Sequence, residues 1–333
     1  MAQLEGNKKN TVGVKIPPTV KEMKAVAEIE VRKFSSDKEA IEAFIKSQDV
    51  KEASKRTYNR QLKQFFNWLK ETGRMGERLD REDILAYREY LINTGKTSLT
   101  VAGYLTAVRK FFEWSEAMKI YPNIAKVKSP RKPKGYRKDV LNKSQLRRSL
   151  DVINTDTLEG KRDYALFNLL ARTGLRTIEV ARALIGDIRQ EAGQAVLWIQ
   201  GKGRDEKDDF VVLNEKTLQP IEDYLQEREK EAGRQLKDSE PLFISLSNKN
   251  KGEALTTRSI SRIIKNVFIK AGLNNSRITA HSLRHTAITL SIVGGASIQQ
   301  AQAMARHGDI KTTMIYFHNL ERIKAGAEQY IDF

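Results

Sequence analysis

Arg176, Lys202, His281, Arg284, His307 and Tyr316 are residues whose types, taken together, suit one reaction, the metal-free attack of a tyrosine on a phosphodiester. All four histidines, His281, His285, His307 and His318, fall in one short stretch, which scattered imidazoles would rarely do. A tyrosine hydroxyl has an ordinary pKa of about 10, so it needs nearby cations or a base to become a nucleophile at neutral pH. The two arginines and two histidines meet that need. They would also neutralise the non-bridging oxygens of a pentacoordinate phosphorus, where each such donor is worth about two to three orders of magnitude in rate. The chain has no cysteine, so disulfides, thiolate metal sites and a sulfur nucleophile are excluded.

The local context of each residue sharpens this reading. Between Ala171 and Glu179, Gly174 breaks one helix and the next is expected to carry Arg176 in its first turn. Glu179 then lies at i+3, where a carboxylate can hold the guanidinium, although most such pairs are surface salt bridges of little worth. Gly201-Lys202-Gly203 reads as a turn between two strands with Lys202 at its tip. A lysine there is common, but beside a phosphate it could protonate a departing 5′-oxygen. In His281-Ser282-Leu283-Arg284-His285, Thr279 is a candidate N-cap, so His281 and Arg284 share a helical face and His285 follows one turn later. The H-x-x-x-H spacing also fits metal ligands. Ser282, however, stands where zinc proteases place a glutamate, so no metal or other cofactor is expected. The helical run Gln299 to Arg306 stops at His307-Gly308, and Asp309 caps a short helix carrying Thr312, Thr313 and Tyr316. A tyrosine by itself is more often a core or rim residue. Its cationic company makes the difference.

Several elements must position these groups. Residues 1–35 read as a flexible arm, and four helices follow from Ser36. The first, Asp37 to Gln48, turns Ala40, Ile41, Phe44 and Ile45 to one face. The second, from about Lys51 to Glu71, repeats Tyr58, Leu62, Phe65, Phe66 and Leu69 and stops at Gly73. The third runs from Arg81 to Asn93 after an Asp80 cap, and the fourth, Ser98 to Met118, buries Val101, Leu105, Val108, Phe111 and Phe112. Lys55, Arg56, Arg60 and Lys63 on the second helix, with Arg109 and Lys110 on the fourth, are candidate phosphate contacts or an ordinary solvated face. Between Lys126 and Lys138 there is no acid. Lys126, Lys128, Arg131, Lys132, Lys134, Arg137 and Lys138 accompany Pro130 and Pro133 in what reads as an extended linker suited to a duplex backbone. Later come helices at Lys143 to Ile153 and Lys161 to Arg172, strands at Val196 to Gln200 and Phe210 to Leu213, and further helices. The expected fold is mainly α with a small antiparallel β-sheet. It comprises the arm, a helical core-DNA-binding domain over 36–122, a basic linker over 123–140, and an α+β catalytic domain with a C-terminal tail over 141–333.

Bulk properties agree. Length 333 with 40% hydrophobic residues is enough for a core in each of two domains. Lys+Arg outnumber Asp+Glu by 59 to 42, a net charge of +17 that favours nucleic acid as partner, RNA-binding included on charge alone. No apolar run of about 18 residues occurs, and MAQLEGNKKN lacks the apolar region of a secretory signal. The expected location is cytoplasmic, on the nucleoid of a prokaryote or serving its phage or mobile element.

The motifs resemble those of the tyrosine recombinase and phage integrase family, in particular its Xer-like site-specific recombinases. Thr-Gly-Leu-Arg-Thr-Ile-Glu is similar to the first arginine box, Gly-Lys-Gly to the hairpin lysine, His-Ser-Leu-Arg-His to the H-x-x-R box, and Arg-His-Gly-Asp-Ile-Lys-Thr-Thr-Met-Ile-Tyr to the final histidine and nucleophile. The resemblance runs from about residue 36 to the C-terminus. It implies an N-terminal SAM-like domain and a catalytic domain gripping opposite faces of a duplex. By the same resemblance Tyr316 forms a 3′-phosphotyrosyl bond, Arg176, Arg284 and His307 stabilise the phosphorane, His281 takes or shuttles the phenol proton, and Lys202 protonates the 5′-hydroxyl. Glu179 and His285 are supports. The ester conserves the bond energy, so rejoining needs neither metal nor ATP. Implied partners are double-stranded DNA recombination sites, three further copies in a tetramer formed through the tail (Leu320, Ile323, Tyr330, Ile331 and Phe333), whose apolar residues could instead pack within their own chain, and accessory DNA-bending proteins. The chain departs from the pattern twice. Its hairpin continues Gly203-Arg204-Asp205-Glu206-Lys207-Asp208-Asp209, making Lys207 a second candidate for the lysine, and Ala305-Arg306 replaces the usual Leu-Gly before His307. A type IB topoisomerase or a non-catalytic DNA-binding accessory protein would be the alternatives.

Overall fold

A computed structural model describes residues 36–131, 139–201, 203–324 and 326–332. The arm over 1–35, Lys132, Lys134, Arg137, Lys138, Lys202 and Phe333 lie outside the described residues. The chain divides into two compact units at Lys134–Gly135.

In the first unit, α1 (Asp37–Ser47), α2 (Glu52–Glu71), α3 (Arg81–Asn93) and α4 (Ser98–Ala117) form the helical set. Capping explains three of the starts. Oγ of Ser36 accepts the Glu39 amide, Asp80 accepts the Glu82 and Asp83 amides, and Thr97 accepts that of Thr100. α2 has no side-chain cap at Lys51 and relies on its apolar face. Beyond its end Gly73 takes φ 71°, a left-handed turn that glycine adopts without strain. Phe44, Leu62, Phe65, Ile84, Tyr87, Leu91, Leu105 and Val108 fill the core. Ala125 and Val127 are buried in that core while Lys126 and Lys128 between and after them are exposed, so the stretch read as linker begins by packing.

The second unit contains α5 (Lys143–Asp151), α6 (Leu158–Thr173), α7 (Thr177–Ala181), a 3-10 turn (Ile185–Asp187), β1 (Ile188–Glu191), β2 (Gln194–Ile199) and β3 (Asp209–Val212). It continues with α8 (Glu215–Ala232), α9 (Thr257–Lys270), α10 (Ala280–Val293), α11 (Ile298–Ala305), α12 (Ile310–Lys324) and a 3-10 turn (Ala327–Tyr330). α6 is the central element, with every residue from Ala165 to Leu170 buried. The sheet is antiparallel in the order β1-β2-β3, with Leu197 paired to Ile188 on one side and to Val211 on the other. Sequence patterning indicates only β2 and β3. β1 escapes it because only Ile188 is even half-buried, and the Ala192-Gly193 turn (φ 48° and 77°) lacks the Asn or Asp that usually marks such hairpins. α12 is also longer than expected. No helix of the described residues is long and apolar enough to cross a membrane.

Two substitutions test this packing. The Tyr87 ring is fully buried, its centroid 4.9 Å from that of Phe65, and its hydroxyl has no hydrogen-bond partner among the described residues. Tyr87→Phe is therefore expected to raise stability by about 1 kcal/mol in urea unfolding, since an unsatisfied buried hydroxyl costs about that much. Gly160 lies inside α6, where glycine to alanine ordinarily gains about 1 kcal/mol. Here an added Cβ would sit 1.5 Å from the Asn154 carbonyl oxygen. Overlap outweighs propensity, and Gly160→Ala is expected to destabilise by about 1–3 kcal/mol in the same assay.

Candidate active site

Glu179 is fully buried, and a carboxylate out of water is tolerable only when its lone pairs are filled. Oε2 accepts the backbone N–H of Arg176 at 2.7 Å, and Oε1 accepts Nη1 of the same residue at 2.8 Å. Arg176 is thus the N-cap of α7, with extended backbone, and not a residue of its first turn as the sequence suggests. A further donor arrives from far along the chain. Nη2 of Arg306, the residue that ends α11, lies 3.0 Å from Oε2. One carboxylate therefore holds two guanidinium groups.

Arg284, on α10, is 3% exposed. Its Nη1 donates to the Gly174 carbonyl at 2.7 Å and its Nη2 to the Ala305 carbonyl, so it ties the end of α6 to the end of α11. Gly174 permits this approach. It has φ 62°, and an added Cβ would meet that of Ala287 at 3.4 Å. Burial, then repulsion from Arg176 and Arg306, brings the Arg284 guanidinium down to about 10, still protonated at neutral pH.

His281 and His285 lie one turn apart on α10 with ring centroids 4.7 Å apart, edge to face. Nδ1 of His285 is hydrogen-bonded to the Tyr316 hydroxyl. The family resemblance gives the phenol proton to His281 and a supporting part to His285; the structure shows His285 itself hydrogen-bonded to the phenol. His307 follows the left-handed turn at Arg306, and its Nδ1 is 2.9 Å from Oγ1 of the buried Thr313. Its ring stacks on Tyr316 at 6.3 Å. Tyr316 is 4% exposed and packs with Ile288 and Ala305, so here its hydroxyl is engaged within the protein. Burial, with His281, Arg284 and His307 adding repulsion, lowers His285 to about 4. Burial and the charges of Arg284, Arg176 and Arg306 lower His307 to about 4 as well. Both imidazoles are neutral at pH 7.

Arg176, Arg204, Arg306 and His307, with Asp208 and Asp209, border a cleft of roughly 500 Å³ beside this cluster. Lys202 lies outside the described residues. Lys207 is held by the buried Asp187, at 2.7 and 2.5 Å from its two oxygens. His318 is exposed. Among the described residues no three His, Asp or Glu side chains gather as metal ligands. Of the candidate DNA contacts, Arg56, Arg60, Lys63, Lys110, Lys126, Lys128 and Arg131 are exposed. Lys55 is half-buried and pairs with Glu52 at 3.1 Å, and Arg109 donates to Oγ of Ser129 at 2.8 Å. In the tail, Tyr330 is 81% and Ile331 64% exposed. Thr313 and the hold of Arg306 on Glu179 are contributions that sequence reading missed. The only signal for the second was the departure from glycine at that position.

Known proteins match over most of the chain. Residues 139–322 match the phage integrase family and residues 41–119 the phage integrase N-terminal SAM-like domain. Tyrosine recombinase XerD of Proteus mirabilis is 30% identical over 270 residues, 80% of this chain and 80% of that protein. Tyrosine recombinase XerD of Listeria monocytogenes is 27% identical over 267 residues, covering 79% of this chain and 86% of that one. Among solved structures, XerH site-specific recombinase in a post-cleavage complex with palindromic difH substrate superposes with TM-score 0.68 at 21% identity, covering 90% of this chain and 86% of that one. A lambda integrase dimer bound to a COC′ core site gives 0.62 at 14% identity, covering 82% and 95%. These last two likenesses speak for the fold.

The histidines make stability depend on pH. Their folded values near 4 lie below the ordinary 6.5, so the unfolded chain binds protons first as pH falls. This contribution is complete above about pH 6.5 and is lost on descending toward pH 4. Thermal melting across that window should fall less steeply for a His285→Gln, His307→Gln double variant than for the unaltered protein.

Proposed function

The chain belongs to the phage integrase family and is a site-specific DNA recombinase of the tyrosine class, and we propose that Tyr316 is the residue that cuts and rejoins the strand. The phenol oxygen bonds to the scissile phosphorus as the bond to the 5′-oxygen breaks. The phenol proton passes to an imidazole, and the departing oxygen takes a proton from Lys202. A 5′-hydroxyl then reverses the attack, releasing Tyr316 without metal or ATP because the phosphodiester bond energy is retained in the ester. The observation that carries this reading is the Tyr316 hydroxyl hydrogen-bonded to Nδ1 of His285, with the Tyr316 ring stacked beside His307, in a cluster that includes Arg284.

Arg176 and Arg284 neutralise the non-bridging oxygens, and His307, oriented through Nδ1 by Thr313, presents Nε2 to the same phosphate. His281, edge-on to His285, relays the proton onward. Tyr316 is buried, so α12 must release the phenol before it meets DNA, and contacts with the duplex supply the differential binding for that shift. In the helical unit, exposed Arg56, Arg60, Lys63 and Lys110 bind the backbone. Strand exchange joins two duplexes, which calls for four protomers. Exposed Tyr330 and Ile331 in the tail supply an apolar surface for a neighbouring copy, and accessory DNA-bending proteins complete the assembly where the site requires them.

A duplex nicked near its cleavage point traps the covalent intermediate. Incubated with a library of such duplexes, the protein is expected to form a denaturant-resistant adduct at particular sequences. Tyr316→Phe should abolish the adduct while duplex affinity stays within about threefold, because only the attacking oxygen is removed. An adduct that survives this change would identify another nucleophile, and site-independent relaxation of supercoiled plasmid would indicate a topoisomerase.

A further inference from the structure

Arg306 occupies the position before His307 where the family pattern has glycine, and its backbone keeps the left-handed conformation that glycine favours, with φ 51°. Its guanidinium is drawn inside. The side chain is 6% exposed, Nη1 donates to the Met304 carbonyl at 2.6 Å, Nη2 reaches Glu179 at 3.0 Å, and Nε is buried with no hydrogen-bond partner among the described residues. Three costs thus fall on one residue: a strained backbone, a desolvated charge and an unsatisfied donor. Glycine would make the same turn and avoid all three. The compensation must come from what the guanidinium does at Glu179 and in the cleft it borders together with Arg176 and His307.

We propose that Arg306 is a positioning residue of the phosphate site: through Glu179 it fastens the turn that seats His307 to the start of α7 that seats Arg176, and it adds a third positive charge beside Arg176 and Arg284. This rests on the reading of Tyr316 as nucleophile. Without Arg306, Glu179 keeps both bonds from Arg176, so its charge remains paired and the fold is retained. What is lost is the link spanning 127 positions between two groups that must meet the same phosphorus. The electrostatics agree, since Arg306 is among the cations that hold His307 neutral.

The test compares unaltered protein, Arg306→Gly and Arg306→Lys on a nicked duplex carrying a trapped site. Arg306→Gly is expected to melt no lower than the unaltered protein, because glycine relieves the backbone. It should bind the duplex within about threefold yet form the Tyr316 adduct about 10²-fold more slowly, the loss that small misplacement of a reacting group produces. Guanidinium ion at tens of millimolar, well below denaturing levels, should recover part of that rate, and Arg306→Lys, which keeps the charge without the planar fork, should fall between the two. An adduct rate for Arg306→Gly within about twofold of the unaltered protein overturns the proposal, as does a loss that guanidinium leaves untouched. If the unaltered protein forms no adduct that Tyr316→Phe abolishes, the nucleophile reading has failed and takes this proposal with it.

Discussion

A carboxylate with no access to water is the constraint around which this site is arranged. Glu179 is fully buried, and leaving it unpaired would cost several kcal/mol. It is satisfied by Arg176 from its own turn and by Arg306 from the end of α11. Neutralising one charge thereby fixes two helix ends. The result is a rigid cationic floor, because each guanidinium is oriented by a hydrogen bond and does not depend on a flexible surface pair.

Collecting positive charge has its own cost, and the structure contains it in two ways. Arg284 is surrounded by other cations but binds two carbonyl dipoles, those of Gly174 and Ala305. His285 and His307 respond by staying neutral, which leaves them lone pairs that protonated imidazoles would lack. A set of groups that repel one another in the free protein is poised for an anion. On the proposed reading, a phosphodiester entering the cleft would relieve that repulsion, and a phosphorane, carrying more charge, would relieve it further.

Tyr316, the proposed nucleophile, is kept apart from this readiness. It is packed among Ile288, Ala305 and the two imidazoles, on a helix joined to α11 by the short His307–Asp309 turn. A phenol exposed permanently beside three guanidinium groups could attack any phosphodiester that drifted in. On the proposed reading, burial of Tyr316 makes attack conditional on rearrangement, so that the covalent step follows recognition of the right site.

Much of the framework is legible from near neighbours alone. Ser36 and Asp80 announce helix starts, Gly73 and Gly174 announce stops, and the recurrence of Leu62, Phe65 and Leu69 fixes which face of α2 is buried. Residue types and spacing likewise suffice to single out Arg176, Arg284, His307 and Tyr316 as candidates and to indicate the family. Those features depend on interactions within one helical turn, which spacing encodes directly. Tertiary structure alone decided the rest. It showed that β1 forms despite exposed polar residues because β2 offers it a partner, and that Ala125 and Val127 belong to a core. It placed His285 on the phenol and brought Arg306 to Glu179 across 127 positions. Such contacts are set by how whole helices pack and by which buried charge must be paired, and no local pattern in the chain records either.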